Sequence, residues 1–244
     1  MPDSWRMRLA RRWRRHCDRH ARRSVLVLGD SHVRVFEHWW FMWALPDVRW
    51  HITYVPGGTA TGLYNAGSQT QSRARFEAAL REHPRPELVL LNLGEVDTGH
   101  TVWARSQHGK GSVDALLHQA VDAYCRYIGE LARRCRLAVI GAPLPTLPDD
   151  FVPGDAVATT RRAVSMTQAE RTALTLAFND RVAAECRALG VPHLDDRAES
   201  LGAAGTVRRE WVRPDMPDHH YHRFTYARWL ARSLAPLLTD DRSR

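Results

Sequence analysis

Two apolar runs, Val25-Leu26-Val27-Leu28 and the near-continuous Leu88–Leu93, constrain the fold more than any other feature of the chain. A strand with one wet face alternates apolar and polar residues. A strand without that alternation is covered on both faces, as in a parallel sheet with helices above and below. The remaining pattern agrees. His51–Val55, Leu137–Ile140 and Val191–Leu194 read as three further short strands. Helical spacing is predicted over His32–Leu45, Thr70–Arg81, Ser112–Arg134, from Thr167 to about Leu189, and over Phe224–Leu238. Thr167 and Glu170 have the spacing of a capping box. Phe36, Trp39, Trp40 and Trp43 recur at i, i+3, i+4 and i+7, a stripe expected to face the core. Five strands alternating with helices predict an α/β fold, a sandwich of helices on both faces of a parallel five-stranded sheet. The 244 residues fit one such domain.

The charge is unevenly placed. The formal net charge is +8, yet residues 1–23 alone hold nine arginines against two aspartates. Residues 24–240, the expected domain, are therefore close to neutral. This weakens a nucleic-acid-binding reading, because the basic character belongs to an arm and not to a groove. Within the arm, Trp5, Leu9, Trp13 and Cys17 form one narrow apolar stripe. It predicts a basic helix that docks on the domain, or an arm drawn to an anionic surface. Cys17, Cys125, Cys135 and Cys186 show no CxxC spacing and read as reduced, mostly packed thiols. No apolar run reaches ~18 residues, and the N-terminus shows no apolar segment of the secretory kind, so a cytoplasmic location is the expectation.

In a sheet of this type ligands bind beyond the carboxyl ends of the strands. Polar and glycine residues collect at three such ends: Gly29-Asp30-Ser31-His32, Pro56-Gly57-Gly58 and Gly94-Glu95-Val96-Asp97. A cluster of acids and histidines, Asp215, Asp218, His219, His220 and His222, precedes the last helix. A lone serine hydroxyl is a poor nucleophile; a histidine can take its proton and a carboxylate can orient that histidine. Ser31 stands where a strand hands over to a helix, so its N–H lies where a developing oxyanion is favoured. Gly57 or Gly58 either supplies a second donor or serves only the turn. His32 either contributes to the site or caps the helix. The same late cluster could hold a divalent metal, a reading ranked below catalysis. Ala142–Ser165, with four prolines, is a long irregular segment with the character of a lid or a surface insertion.

These motifs, in this order, resemble the SGNH hydrolase superfamily, the GDSL esterases and lipases, over residues 24–238. The resemblance implies a three-layer α/β/α, flavodoxin-like fold and hydrolysis of an ester, thioester or O-acetyl group without metal or cofactor. Gly29-Asp30-Ser31 is similar to the family's first block. Gly58, or its neighbour Gly57, resembles the second-block glycine of the oxyanion hole. Gly94 through Asp97 resembles the third block, so that Gly94 and Asp97, with Asp30, are implied near oxyanion or substrate. Tyr226 resembles an aromatic of the last helix, and that register favours His220 as base and Asp218 as its partner, with Asp215 second and His219 as the rival base. Two departures stand out. Val96 replaces the third-block asparagine, whose amide Thr98, Asn92 or His100 would have to replace. Met216 and Pro217 stand three residues before the two histidines, where the family has an acid. The implied substrate is a small-molecule or glycan ester. Acyl transfer to a sugar or metabolite, and a non-catalytic glycan- or partner-binding domain, are the alternatives.

Overall fold

The computed structural model describes residues 21–150, 166–214 and 218–239. The arm with its tryptophan stripe, Cys17, Asp215 and the stretch 151–165 lie outside the described residues. Strands β1 (Arg23–Gly29), β2 (Val48–Tyr54), β3 (Leu88–Asn92), β4 (Leu137–Ile140) and β5 (His193–Leu194) form one parallel sheet in the order β2-β1-β3-β4-β5. The α-helices are α1 (Trp39–Ala44), α2 (Ser72–Glu82), α3 (Val102–Gln107), α4 (Val113–Ala132), α5 (Gln168–Ala188), α6 (Arg197–Ser200) and α7 (Arg223–Thr239). None of the described helices is long and apolar enough to cross a membrane.

The unalternating strands do divide their side chains between two cores. Leu26, Leu28, Val89 and Leu91 pack on one face with Phe76 of α2, Tyr124 and Ile128 of α4, and Phe178 and Val182 of α5. Val25, Val27, Leu88 and Leu90 pack on the other with Phe36, Phe41 and the Tyr226, Leu230 and Leu234 stripe of α7. Residues of β1 and β3 are thus buried on both sides, as period-two geometry requires. Ser112 caps α4, and Thr167 and Glu170 form both halves of the capping box that opens α5.

The helix predicted over His32–Leu45 is corrected. Residues Ser31–Glu37 are a 3-10 helix, His38 is extended (φ −69°, ψ 138°), and α1 starts anew at Trp39. The imidazole Nδ1 of His38 accepts the Trp40 N–H at 3.2 Å, giving the backbone a local alternative to a continuous helix. The break rephases the aromatic stripe. Phe36 is buried, but Trp39 and Trp43 are 52% and 66% exposed, so the stripe is only partly core.

The irregular segment after β4 is also corrected in its described part. Ala142, Leu144, Thr146 and Leu147 are buried, so this stretch is a packed strap and no lid. Asn179 of α5 brackets Ala142, accepting its N–H at 2.8 Å and donating to its carbonyl at 3.0 Å. Gln168 donates to the Pro145 carbonyl and Arg171 to that of Leu147.

Past β3 the chain turns through Gly94, whose φ is +116°. A Cβ there would stand 2.4 Å from the ring of Phe178. Its requirement is backbone conformation and close packing, and contact with substrate is not needed to explain it. Gly94→Ala is expected to cost about 3 kcal/mol, from overpacking plus a disfavoured backbone. That predicts a Tm lower by roughly 6–12 °C in thermal unfolding; an unchanged Tm would contradict this packing account.

Candidate active site

Ser31 is the first residue of its 3-10 helix, so its N–H has no partner within the helix. Asp30 caps that helix: its Oδ1 accepts the N–H of His32 at 2.8 Å. The strand ends around it are pinned together. The Asp30 N–H reaches the Asn92 carbonyl at 3.3 Å, and the Asn92 amide donates to the carbonyls of Ile140 and Gly141 at 3.0 Å each.

The late turn arrives at this rim. His220 Nε2 lies 2.9 Å from Ser31 Oγ, and His220 Nδ1 lies 2.8 Å from Asp218 Oδ1. The second carboxylate oxygen of Asp218 accepts from Arg213 at 2.7 Å. His219 turns its Nδ1 toward Asp218 at 3.5 Å, while its carbonyl faces His32 Nε2 at 3.1 Å. Of the two rival bases, His220 makes the bond to the serine hydroxyl. Thr146 of the buried strap donates to the Asp218 carbonyl. Tyr221, next to the base, donates to Asp196 at 3.3 Å and accepts the Leu144 N–H at 2.6 Å. The turn is therefore held by the strap, by α6 through its N-terminal Asp196, and by the first strand end.

The electrostatics suit general-base chemistry. Burial opposes ionisation of Asp218, but the hydrogen bond and charge of His220 and the Arg213 guanidinium outweigh it and hold the carboxyl well below the usual range. With Asp218 ionised, Nδ1 of His220 carries the proton and Nε2 presents its lone pair to Ser31. Burial, then the positive charge of His32, lowers the pKa of His220, against the pull of Asp218. The base is neutral at neutral pH.

The glycines at the second strand end do not behave as expected. The Gly58 N–H is taken by the Val55 carbonyl at 2.9 Å. With Pro56 second and Gly57 third at φ +69°, this is a type II turn, and both glycines serve it. Gly58 is corrected from oxyanion donor to turn residue, and Gly57 is exposed on the turn. Asp97 is buried and accepts from the Ala60 N–H at 2.7 Å and from the Thr61 N–H and hydroxyl at 3.1 and 2.8 Å. It ties the second loop to the third through both carboxylate oxygens. Burial, offset in part by those donors, raises its pKa to about 6. Of the side chains considered as stand-ins for the missing amide at Val96, Asn92 is committed to β4. Thr98 is committed to Gly94 and Thr175.

Asp218, His219 and His220 lie close enough together to suggest a metal site. Their chemistry argues otherwise: both nitrogens of His220 and both oxygens of Asp218 are already engaged. The described cysteines are unpaired, and burial pushes the thiols of Cys125 and Cys186 up to about 12, which makes them poor nucleophiles.

Comparison with known proteins places the fold. No family model matches the chain, and no curated protein matches it. Solved structures do. A carbohydrate acetylesterase family member from Sinorhizobium meliloti superposes with a TM-score of 0.57 at 14% identity, covering 88% of this chain and 97% of that one. The chain has the fold of that protein. A GDSL-like lipase from Bacteroides thetaiotaomicron gives 0.55 at 14% identity, over 93% and 96% of the two chains. A catalytic mutant of an acetylxylan esterase from Geobacillus stearothermophilus gives 0.52 at 14% identity, over 88% and 95%. At such identities the likeness is one of architecture, and the chemistry rests on the side chains.

Arg213 and Thr146 carried no signal in the sequence, since both act across loops. The pairing of Asp with His did: Asp30-Ser31-His32 and Asp218-His219-His220 share one geometry, in which an Asp Oδ1 accepts both the N–H and the Nδ1 of the histidine two residues on. Two measurements check the site. Neutral His220 is the active form, so activity is present above its pKa and lost as pH falls through it; the acid limb of kcat/KM on p-nitrophenyl acetate is expected below pH 6.5. Arg213→Ala should lower kcat roughly tenfold, with KM changing less, because one charged hydrogen bond to Asp218 is lost.

Proposed function

We propose that the protein is a serine esterase that cleaves an ester or O-acyl bond of a small molecule or glycan through an acyl-enzyme. The observation that carries this is the 2.9 Å contact between His220 Nε2 and Ser31 Oγ, with Asp218 behind the ring at 2.8 Å. Ser31 Oγ attacks the carbonyl carbon as His220 Nε2 takes its proton. The tetrahedral intermediate collapses, the imidazolium returns the proton to the leaving alcohol, and the acyl group stays on Ser31. Water then repeats the sequence: His220 takes its proton, the acid leaves, and Ser31 is restored. Asp218 stays ionised throughout and orients the ring. No step requires a metal to activate the nucleophile.

The Ser31 N–H is the oxyanion donor this reading relies on. With Gly58 engaged in its turn and Val96 in the third block, the two further donors that the resemblance implies are not supplied by those residues. Each missing donor typically costs about 10²–10³ in rate. A slow esterase on activated esters is the consequence. The engaged triad supports catalysis over a purely binding role, because a retired site has no need of a neutral base held on the hydroxyl. Names of architecturally similar proteins, among them a carbohydrate acetylesterase and an acetylxylan esterase, support O-acetylated sugars as the first substrates to try.

The test is direct. Purified protein should hydrolyse p-nitrophenyl acetate and bind a fluorophosphonate covalently at Ser31. Ser31→Ala should abolish labelling and reduce turnover by at least about 10³. Acetate release from acetylated xylo-oligosaccharides identifies the sugar substrate. Turnover that persists in Ser31→Ala, or an unlabelled wild type, defeats the proposal.

A further inference from the structure

Beside the nucleophile lies a second histidine that the reaction above does not use. His32 is buried, with 3% of its surface exposed, inside a charged cluster. Its Nδ1 lies 2.8 Å from Asp30 Oδ1. Its Nε2 lies 3.1 Å from the His219 carbonyl and 3.9 Å from Glu95 Oε2. Its ring centroid is 4.6 Å from that of His220 and 5.8 Å from that of His219. We propose that His32 is a positioning residue for the catalytic imidazole: anchored on Asp30, it clamps the carbonyl next to His220 and sets a fixed positive charge beside the base. This rests on the esterase reading of Ser31 and His220.

The geometry gives His32 two separate effects. The first is mechanical. Ser31 and His220 are 189 positions apart, so nothing local holds them in register. His32 follows the nucleophile directly, and its bond ends on the peptide immediately before the base. The clamp therefore spans the same gap as the catalytic hydrogen bond, from residues adjacent to each partner. A Nε2 that donates to a carbonyl must carry a proton, and Nδ1 against a carboxylate carries one as well, so both nitrogens act as donors. That is the imidazolium form.

The second effect is electrostatic. Burial alone would discharge His32, but Asp30, by charge and hydrogen bond, and Glu95 beyond it raise its pKa to about 9. The groups facing His32 are Asp30 on its own segment, Glu95 from the third strand end, and His219 and His220 from the late turn. Those facing His220 are His32, Glu95, Asp218, His219 and the Ser31 hydroxyl. A cation at this distance resists protonation of His220, which keeps the base free at lower pH. Removing it takes away that repulsion while Asp218 and Glu95 still favour the protonated ring, so the His220 pKa moves upward.

Two variants separate the effects. The amide of His32→Gln can still donate to the His219 carbonyl but has no charge. His32→Ala has neither. In His32→Gln, the His220 midpoint, followed by NMR of the ring Cε1–H, should rise on the order of one pH unit, and the acid limb of kcat/KM should move with it. Its kcat at pH 8, above both limbs, should stay within about threefold of wild type. In His32→Ala, kcat at pH 8 should fall at least about thirtyfold with KM little changed. A merely structural role would lower Tm without moving the titration of His220. An unmoved or lowered His220 midpoint in His32→Gln overturns the proposal, as does a wild-type kcat in His32→Ala. Should His32→Ala fail to fold, the glutamine variant decides alone. Failure of the esterase reading is distinguishable: a wild type that neither turns over ester nor takes the fluorophosphonate fails that reading, while the NMR midpoint still decides the coupling.

Discussion

The molecule depends on one hydrogen bond between partners at opposite ends of the chain, Ser31 Oγ to His220 Nε2 at 2.9 Å. Each partner is delivered by a different physical device. The serine is placed by sheet geometry: a strand buried on both faces ends at the rim, and an Asp-capped 3-10 helix starts there. The histidine sits on no regular element. It is placed by side chains that reach backbone atoms: Thr146 to the carbonyl of Asp218, His32 to that of His219, and Tyr221 to the N–H of Leu144. Loops that carry function on a rigid scaffold need such ties, because their own backbones do not pair.

The same rim concentrates buried charge. Asp30, His32 and Glu95 form a compact group with the cation between two carboxylates. Asp218 is flanked by His220 and Arg213. The two groups touch where the histidine rings approach to 4.6 Å, one held as a cation and the other as a neutral base. Two histidines two residues past an aspartate, in the same local geometry, thus have opposite protonation preferences. Burial disfavours the cation at both rings, so the difference comes from the second neighbour, which is Glu95 for the first and His32 for the second.

Much of this was legible in the chain. Val25–Leu28 and Leu88–Leu91 declared a two-sided sheet because burial on both faces removes alternation, and that follows from local geometry alone. Ser31 was legible for the same reason: a strand that ends in Gly-Asp-Ser has one place to put its hydroxyl. His220 and Asp218 were legible as a cluster, though the bond to Ser31 that distinguishes His220 from His219 depends on how the late turn meets the first strand end. Gly57 and Gly58 stood between two roles in the sequence, since Pro-Gly-Gly suits a type II turn as well as an oxyanion donor, and the Val55 carbonyl that takes the Gly58 N–H favours the turn. The continuous helix over His32–Leu45 failed because aromatic spacing survives a break at His38 that rephases the faces. The strap Ala142–Leu147 opens the proline-rich segment Ala142–Ser165 that read as a lid or a surface insertion, and its burial is set by Asn179 and Arg171 far along the chain. Arg213 was invisible because its partner is chosen by loop packing.

Strand β1 is made well before α7 and the turn that precedes it. During synthesis the hydroxyl of Ser31 therefore leaves the ribosome long before any imidazole can reach it. A nascent chain without α7 and the turn before it has the Ser31 hydroxyl without His220 and a sheet face without the Tyr226, Leu230 and Leu234 stripe that covers it. Chemical competence and closure of that second core come with the same stretch of polypeptide. A product that stops before that turn consequently lacks the His220–Ser31 hydrogen bond and leaves one face of the sheet uncovered.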